Sequence, residues 1–197
     1  MDNKEYFIER LRATGRKGID NVIENLEKLG FFKAPASTVF HLNNPGGLLQ
    51  HSVNVYEEAV AIREKQIEMR PEMEPFLPLD SIAIAALLHD VCKAEIYKPT
   101  EKSRKNSSGV WEKYMGYDVD YSEFPLGHGE KSVIRLLQWG LEMTDDEICA
   151  IRWHMGAWDL PFQSAEAKGN SNAAKAKSPL MAVIGAADGL ASFILER

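Results

Sequence analysis

Ser81-Ile82-Ala83-Ile84-Ala85-Ala86-Leu87-Leu88-His89-Asp90-Val91-Cys92-Lys93 is the stretch from which the rest of the chain is read. Its small and apolar residues predict a buried helix over about 80–93, with Asp80 or Ser81 as N-cap. The run ends on an imidazole and a carboxylate side by side. Burying both without partners is costly, so something must satisfy them. One reading is a pair of hydrogen-bonded groups at a helix end. The other is a metal ion. Lys93 stands four residues after His89 and is expected on the same helical face, where an ammonium could hold a phosphate beside a metal.

The flanks read as further helices. Residues 4–12 and 18–29 have helical composition, with Ile19, Val22, Ile23 and Leu26 spaced by three or four and Gly30 as C-terminal cap. Residues 31–45 read as loop, and Gly46-Gly47 opens a long helix over roughly 47–69, closed by Pro71, Pro75 and Pro78. A helix is expected from His128 to Gly140. Thr144-Asp145-Asp146-Glu147 is a capping box that starts the next helix, which runs to about His154. Ser178-Pro179 reads as N-cap and first helical position of a last, apolar helix over 179–195. Two long connections remain. Residues 97–127 carry Asn106-Ser107-Ser108-Gly109 and several aromatics, and part of them reads as a short hairpin or flap. Residues 155–177 are small and polar and read as a second mobile loop. With no strand pattern of any length and no internal repeat, the expected fold class is all-α, one helical bundle with long active-site loops.

The chain has 197 residues, 45% of them hydrophobic, a formal charge of −6 and a pI of about 5.4. That balance argues against a surface that coats nucleic acid, so extended nucleic-acid binding is not expected. The charged start, Met1-Asp2-Asn3-Lys4-Glu5, has no apolar segment of a secretory signal, and no apolar run approaches the roughly 20 residues of a membrane span. Cys92 and Cys149 show no metal-type spacing. These features together predict a cytoplasmic protein without a membrane partner.

Four of the five histidines, His51, His89, His128 and His154, fall at helix ends or in apolar helices. Asp188 is an isolated acid in the last helix, within Gly185-Ala186-Ala187-Asp188-Gly189-Leu190-Ala191, and a buried carboxylate there needs a partner. Singly, each histidine reads as an ordinary core or surface residue. Together with His89-Asp90 and the isolated acid they point to one metal site. Imidazole and carboxylate donors suit Fe, Mn, Co, Ni or Zn better than Mg alone. His41, in a loop between Phe40 and Leu42, reads as structural or at the substrate's edge.

The motifs Pro45-Gly46-Gly47-Leu48-Leu49-Gln50-His51-Ser52, Leu87-Leu88-His89-Asp90-Val91-Cys92-Lys93, Gly127-His128-Gly129-Glu130, Trp153-His154-Met155-Gly156 and Ala187-Asp188 resemble those of the HD superfamily of metal-dependent phosphohydrolases. The resemblance covers roughly residues 40–195, leaving 1–39 as an N-terminal helical extension of a single domain over 1–197. The opening motif is similar to the HD domain of bacterial 3′–5′ exoribonucleases, which also carry an N-terminal OB domain; no strand-rich segment stands before residue 40 here. Cys92 occupies the place where the family usually has glycine before the lysine.

The resemblance implies one or two divalent transition-metal ions. His51, His89, Asp90 and Asp188 would hold the first, and Asp90 would bridge to a second completed by His128 and His154. It implies hydrolysis of a phosphoester by metal-activated water, with Asp90 and Lys93 as the catalytic groups and no protein nucleophile. The expected substrate is a nucleotide or similar small phosphorylated compound. Lys93, Lys98, Arg104, Tyr114 and Tyr117 are the expected binding residues, the base lying under the flap near Tyr114 or Tyr117, and Trp111, Trp153 and Trp158 are further stacking candidates. Two other classes stay open: a 3′–5′ exonuclease on short single strands, and a metal-containing nucleotide-binding regulatory module.

Overall fold

The computed structural model describes residues 2–156 and 164–196. Among them the helices are α1 (Asn3–Ala13), α2 (Ile19–Leu29), α3 (Gly47–Met69), α4 (Leu79–Leu88), α5 (Lys93–Ile96), α6 (His128–Gln138), α7 (Asp145–Trp153), α8 (Ala165–Lys177) and α9 (Pro179–Leu190), which continues as a π-helical turn over Ala191–Leu195. Strands β1 (Tyr97–Lys105) and β2 (Trp111–Val119) form an antiparallel hairpin. The fold is mostly helical, and the expectation of an all-α chain is corrected by those two strands. No single helix among the described residues is long and apolar enough to cross a membrane.

Helix α4 is the centre. Every residue from Ser81 to Leu88 is buried, and α1, α3, α7 and α9 pack around it. Each fully buried Ile or Leu there stabilises by about 2 kcal/mol relative to exposure. The helix is shorter than expected: it starts after Pro78, with no side-chain cap, and stops at Leu88 with His89 as C-cap. Residues 89–92 form a turn before α5, so Lys93 does not share a helical face with His89.

The N-terminal residues join the same core: Phe7, Leu11, Val22 and Leu26 are fully buried. The loop between α1 and α2 sends Arg16 inward to a fully buried carboxylate, Glu147, with Nη1 and Nη2 at 2.7 and 2.8 Å, and to Asp80 at 3.0 Å. Glu147 also accepts from Ser81 Oγ at 2.6 Å and from the Thr144 backbone N–H at 2.9 Å, closing the capping box expected at Thr144. One carboxylate thereby ties α1, α4 and α7 together. Arg16→Ala leaves that carboxylate buried and short of its countercharge, with only the neutral donors remaining. We expect a loss of about 2 kcal/mol of stability, read as a lowered denaturation midpoint at unchanged m-value.

The connection expected to be a loop over 155–177 is helical over Ala165–Lys177. Ser164 Oγ caps it by accepting from the Ala167 N–H at 3.1 Å, and its Ser171 and Ala174 are buried where it packs on α9 and α7. At Ser178 the expected N-cap position is right, but its side chain makes no capping bond, and Pro179 takes the first helical position.

The hairpin pairs Tyr97 with Val119 through Lys105 with Trp111. Its main contacts are between its own strands and to α5 at its root. At the turn Asn106 Oδ1 accepts from the N–H groups of Ser108 and Val110, both at 3.0 Å.

Candidate metal centre

Five segments deliver the polar groups. His51 stands one turn into α3, and the two glycines before it make that placement possible. Gly46 is left-handed (φ 82°), and a Cβ on Gly47 would lie 2.0 Å from the Leu42 carbonyl oxygen. His89 and His154 cap the C-termini of α4 and α7, and Asp90 follows His89 in the turn. His128 opens α6, held against the end of α7 because Gly129 has no Cβ; one there would meet the Arg152 carbonyl oxygen at 2.6 Å. Asp188 lies near the end of α9.

Two groups result. In the first, Asp90 Oδ2 is 3.1 Å from His89 Nε2 and 3.5 Å from His51 Nε2, which is 3.2 Å from His89 Nε2 and 3.3 Å from Asp188 Oδ1. In the second, His128 Nε2 and His154 Nε2 are 3.2 Å apart and stand 3.7 and 3.6 Å from Asp90 Oδ1. Donors sharing one tetrahedral ion at about 2.1 Å stand about 3.4 Å apart, which is the spacing seen. The four imidazole rings form a continuous row, with centroids 5.1, 4.8 and 5.0 Å apart from His51 through His89 and His154 to His128.

The tautomers follow from the outer partners. His89 Nδ1 donates to the Ala86 carbonyl at 2.8 Å, and His154 Nδ1 to the Ile151 carbonyl at 2.7 Å. Each uses a carbonyl that its own helix end leaves free. With Nδ1 committed to a carbonyl, each ring turns Nε2 inward. His51 Nδ1 donates to Glu196 Oε1 at 3.0 Å, and Glu196 also accepts from Asn54 Nδ2 at 2.9 Å. Asp90 Oδ1 is buried and has no hydrogen-bond partner. Converging lone pairs and an orphaned carboxylate oxygen fit a cation. These buried His/Asp clusters could hold a metal ion.

The electrostatics agree. Burial alone would raise the Asp90 carboxyl, but the Lys93 ammonium at 2.6 Å, His89 and His51 hold it well below the usual range. Burial would likewise raise Asp188, and His51, His89 and His154 outweigh it. Burial disfavours a charged His51, yet hydrogen bonds to Asp188, Asp90 and Glu196 lift its pKa to about 10, whereas burial, then His89 and His128, push His154 down to about 3. A metal binding at His51 must displace a proton; at His154 the lone pair is ready. Lys93 stays cationic because Asp90, Tyr97 and Asp188 overcome its burial. Burial pushes the Cys92 thiol up to about 12, and its Sγ donates to the His128 carbonyl at 3.2 Å, so it packs the site wall and is no nucleophile.

The structure thus brings together His51, His89, Asp90, Lys93, His128, His154 and Asp188. His41 is in neither of these groups; its ring lies 5.2 Å from that of His51, and its donor atoms come together with those of His51 and Glu196 in a third, less buried set that could hold an ion. The other expected binding residues lie on the hairpin. Tyr117, opposite Pro99, and Lys98 stand at its root. Tyr114 and Arg104 lie about 17 and 23 Å along the strands from Tyr97, at about 3.3 Å per residue, and engage each other, with Arg104 4.9 Å over the Tyr114 ring and bonded to Glu112. They are not gathered at the hairpin root with Tyr117. Trp111 is exposed, Arg152 stacks on Trp153, and Trp158 lies outside the described residues.

Glu196 is the residue that sequence reasoning missed. Its signal was an acid ending an apolar segment, two turns beyond Asp188. Because it orients His51, Glu196→Ala should weaken metal affinity at the first group by about 10- to 100-fold without removing a donor from it. Competition with a chelator of known affinity measures it; an unchanged dissociation constant would make the contact incidental.

Comparisons with protein-family models, with curated proteins and with solved structures return no match.

Proposed function

We propose that this chain is a phosphohydrolase of the HD type, using one or two transition-metal ions to cleave a nucleotide or comparable small phosphoester. The observation that carries the reading is Asp90, whose two carboxylate oxygens face different histidine groups, one of them with no other partner. Such a carboxylate suits a bridge between two cations. His51, His89, Asp90 and Asp188 would hold one and Asp90, His128 and His154 the other; Fe, Mn, Co, Ni or Zn suit these donors. Bound ions would supply hydroxide from water near neutral pH and Lewis-acid stabilisation of phosphoryl oxygens. The chain's own contribution is orientation and charge. The Nδ1 hydrogen bonds hold three imidazoles in one tautomer, and Lys93, charged and reaching the centre, offsets negative charge that develops on the phosphoryl group.

A compact substrate is favoured by the hairpin's charge. A polymer track would need unneutralised cations and stacking aromatics over several nucleotides. Here Lys102 pairs with Asp118, Arg104 with Glu112 and Lys113 with Glu101. The test is turnover, with Mn, Fe, Co or Ni added, of mononucleotides, dinucleotides and cyclic dinucleotides against 5–10-residue oligoribonucleotides. We expect the small substrates to give the higher kcat/KM. A steady rise with length would make the chain an exonuclease, and tight binding without cleavage under any metal would make it a regulatory module.

A further inference from the structure

Beside the first histidine group lies a cavity of about 500 Å³ lined by Phe40, His41, Ser192, Phe193 and Glu196. Its size is that of a small-molecule site. Its walls carry two phenyl rings that folding leaves in water: Phe40 is 82% exposed and Phe193 67%. Its polar side is wired to the metal-donor residues. Ser192 Oγ donates to Asp188 Oδ1 at 3.3 Å, Glu196 accepts from His51 Nδ1, and His41 lies against the His51 ring. A ligand in this cavity is therefore one imidazole layer from the donors. The backbone is unusual at the same place. Directly after Asp188 and its neighbours, α9 widens into the π turn that carries Ser192 and Phe193, a conformation rare in proteins and frequent at functional sites.

Resting on the phosphohydrolase reading, we propose that this cavity is the nucleobase subsite: the base stacks on Phe40 and Phe193 while its phosphate reaches Lys93 and the metal that Asp90 and Asp188 would hold. Aromatic faces accept any base. The polar groups offered to a base edge are few, since Glu196 is already engaged by His51 and Asn54 and Ser192 by Asp188, which leaves His41 Nε2, buried and without a hydrogen-bond partner, as the main one. The subsite thus distinguishes a nucleotide from a sugar phosphate far more than one base from another. It also moves the base away from Tyr114, which is packed under Arg104 on the hairpin.

The test is isothermal titration of the metal-loaded protein with AMP, GMP, CMP and UMP, with ribose 5-phosphate as the ligand that keeps the phosphate and lacks the base. The nucleotides should bind roughly tenfold or more tightly than ribose 5-phosphate, and with similar affinity to one another. Phe40→Ala and Phe193→Ala should each reduce the preference for AMP over ribose 5-phosphate by about tenfold, the scale of one lost stacking contact, and Phe193→Tyr should restore it. Both phenylalanines are exposed, so these variants test the contact and not the fold. Equal binding of ribose 5-phosphate and all four nucleotides, or an AMP preference untouched by both alanine variants, overturns the proposal. So does a wild-type dimer, seen by sedimentation, that the alanine variants dissociate, since the patch would then belong to a second copy. Cleavage is followed in parallel. Absence of hydrolysis under every metal counts against the phosphohydrolase reading whatever the base preference, and hydrolysis with no base preference counts against the subsite alone.

Discussion

Asp90→Ala is expected to empty both histidine groups of metal at once. Its Oδ2 stands 3.1 Å from His89 Nε2 in the first group, and its Oδ1 3.6 and 3.7 Å from His154 and His128 Nε2 in the second. Removing the carboxylate takes one donor from each group and the negative charge nearest both. The other variants should divide the effect. Asp188→Ala should impair chiefly the first group, where its Oδ1 stands 3.3 Å from His51 Nε2, and His154→Ala chiefly the second, where its Nε2 stands 3.2 Å from His128 Nε2. Elemental analysis of protein purified without chelator reads the outcome directly. The same variant should lose stability, since metal affinity is coupled to folding, so its helix content is checked by circular dichroism alongside. Full metal occupancy in a folded Asp90→Ala protein would refute the bridge.

The second large effect concerns Lys93. Lys93→Ala should retain metal and slow phosphoester cleavage on the order of 10²-fold or more, the scale for removing one preorganised charge stabiliser. The side chain is only 12% exposed, its ammonium touches Asp90 Oδ2 at 2.6 Å, and its neighbours keep it protonated. It is thus a fixed positive charge beside the donor atoms that is not itself a donor. Lys93→Arg keeps the charge and should recover part of the rate. Initial rates and metal content measured on the same preparations separate the alternatives. An unchanged rate with metal bound makes Lys93 a mere counterion of Asp90; loss of metal makes it a support of the site.

Much of the helical frame was legible because its signals are local. The spacing of Ile19, Val22, Ile23 and Leu26 and the Thr144 capping box each operate within a turn or two. The hairpin expected within 97–127, around Asn106-Ser107-Ser108-Gly109, is found there, but the bounds of its strands were illegible for the complementary reason. Most residues of β1 and β2 are exposed and many are charged, so no apolar alternation marks them. Helix α8 was read as loop because Gly169-Asn170-Ser171-Asn172 has poor helix propensity; the Ser164 cap and packing on α9 override it.

At the candidate centre, the sequence alone determined which residues bear metal-donor chemistry, because only imidazole, thiolate and carboxylate side chains are common donors and the isolated ones stand out in apolar helices. The tertiary structure alone decided their partners. Glu196 reaches His51 across 145 residues of chain, Asp90 divides its two oxygens between the histidines of α6–α7 and those of α3–α4, and the break after Leu88 brings Lys93 onto Asp90 rather than beside His89. Local periodicity sets where a side chain sits on its own helix. Which groups then meet depends on how distant helices close around α4, and that is set by packing across the whole core.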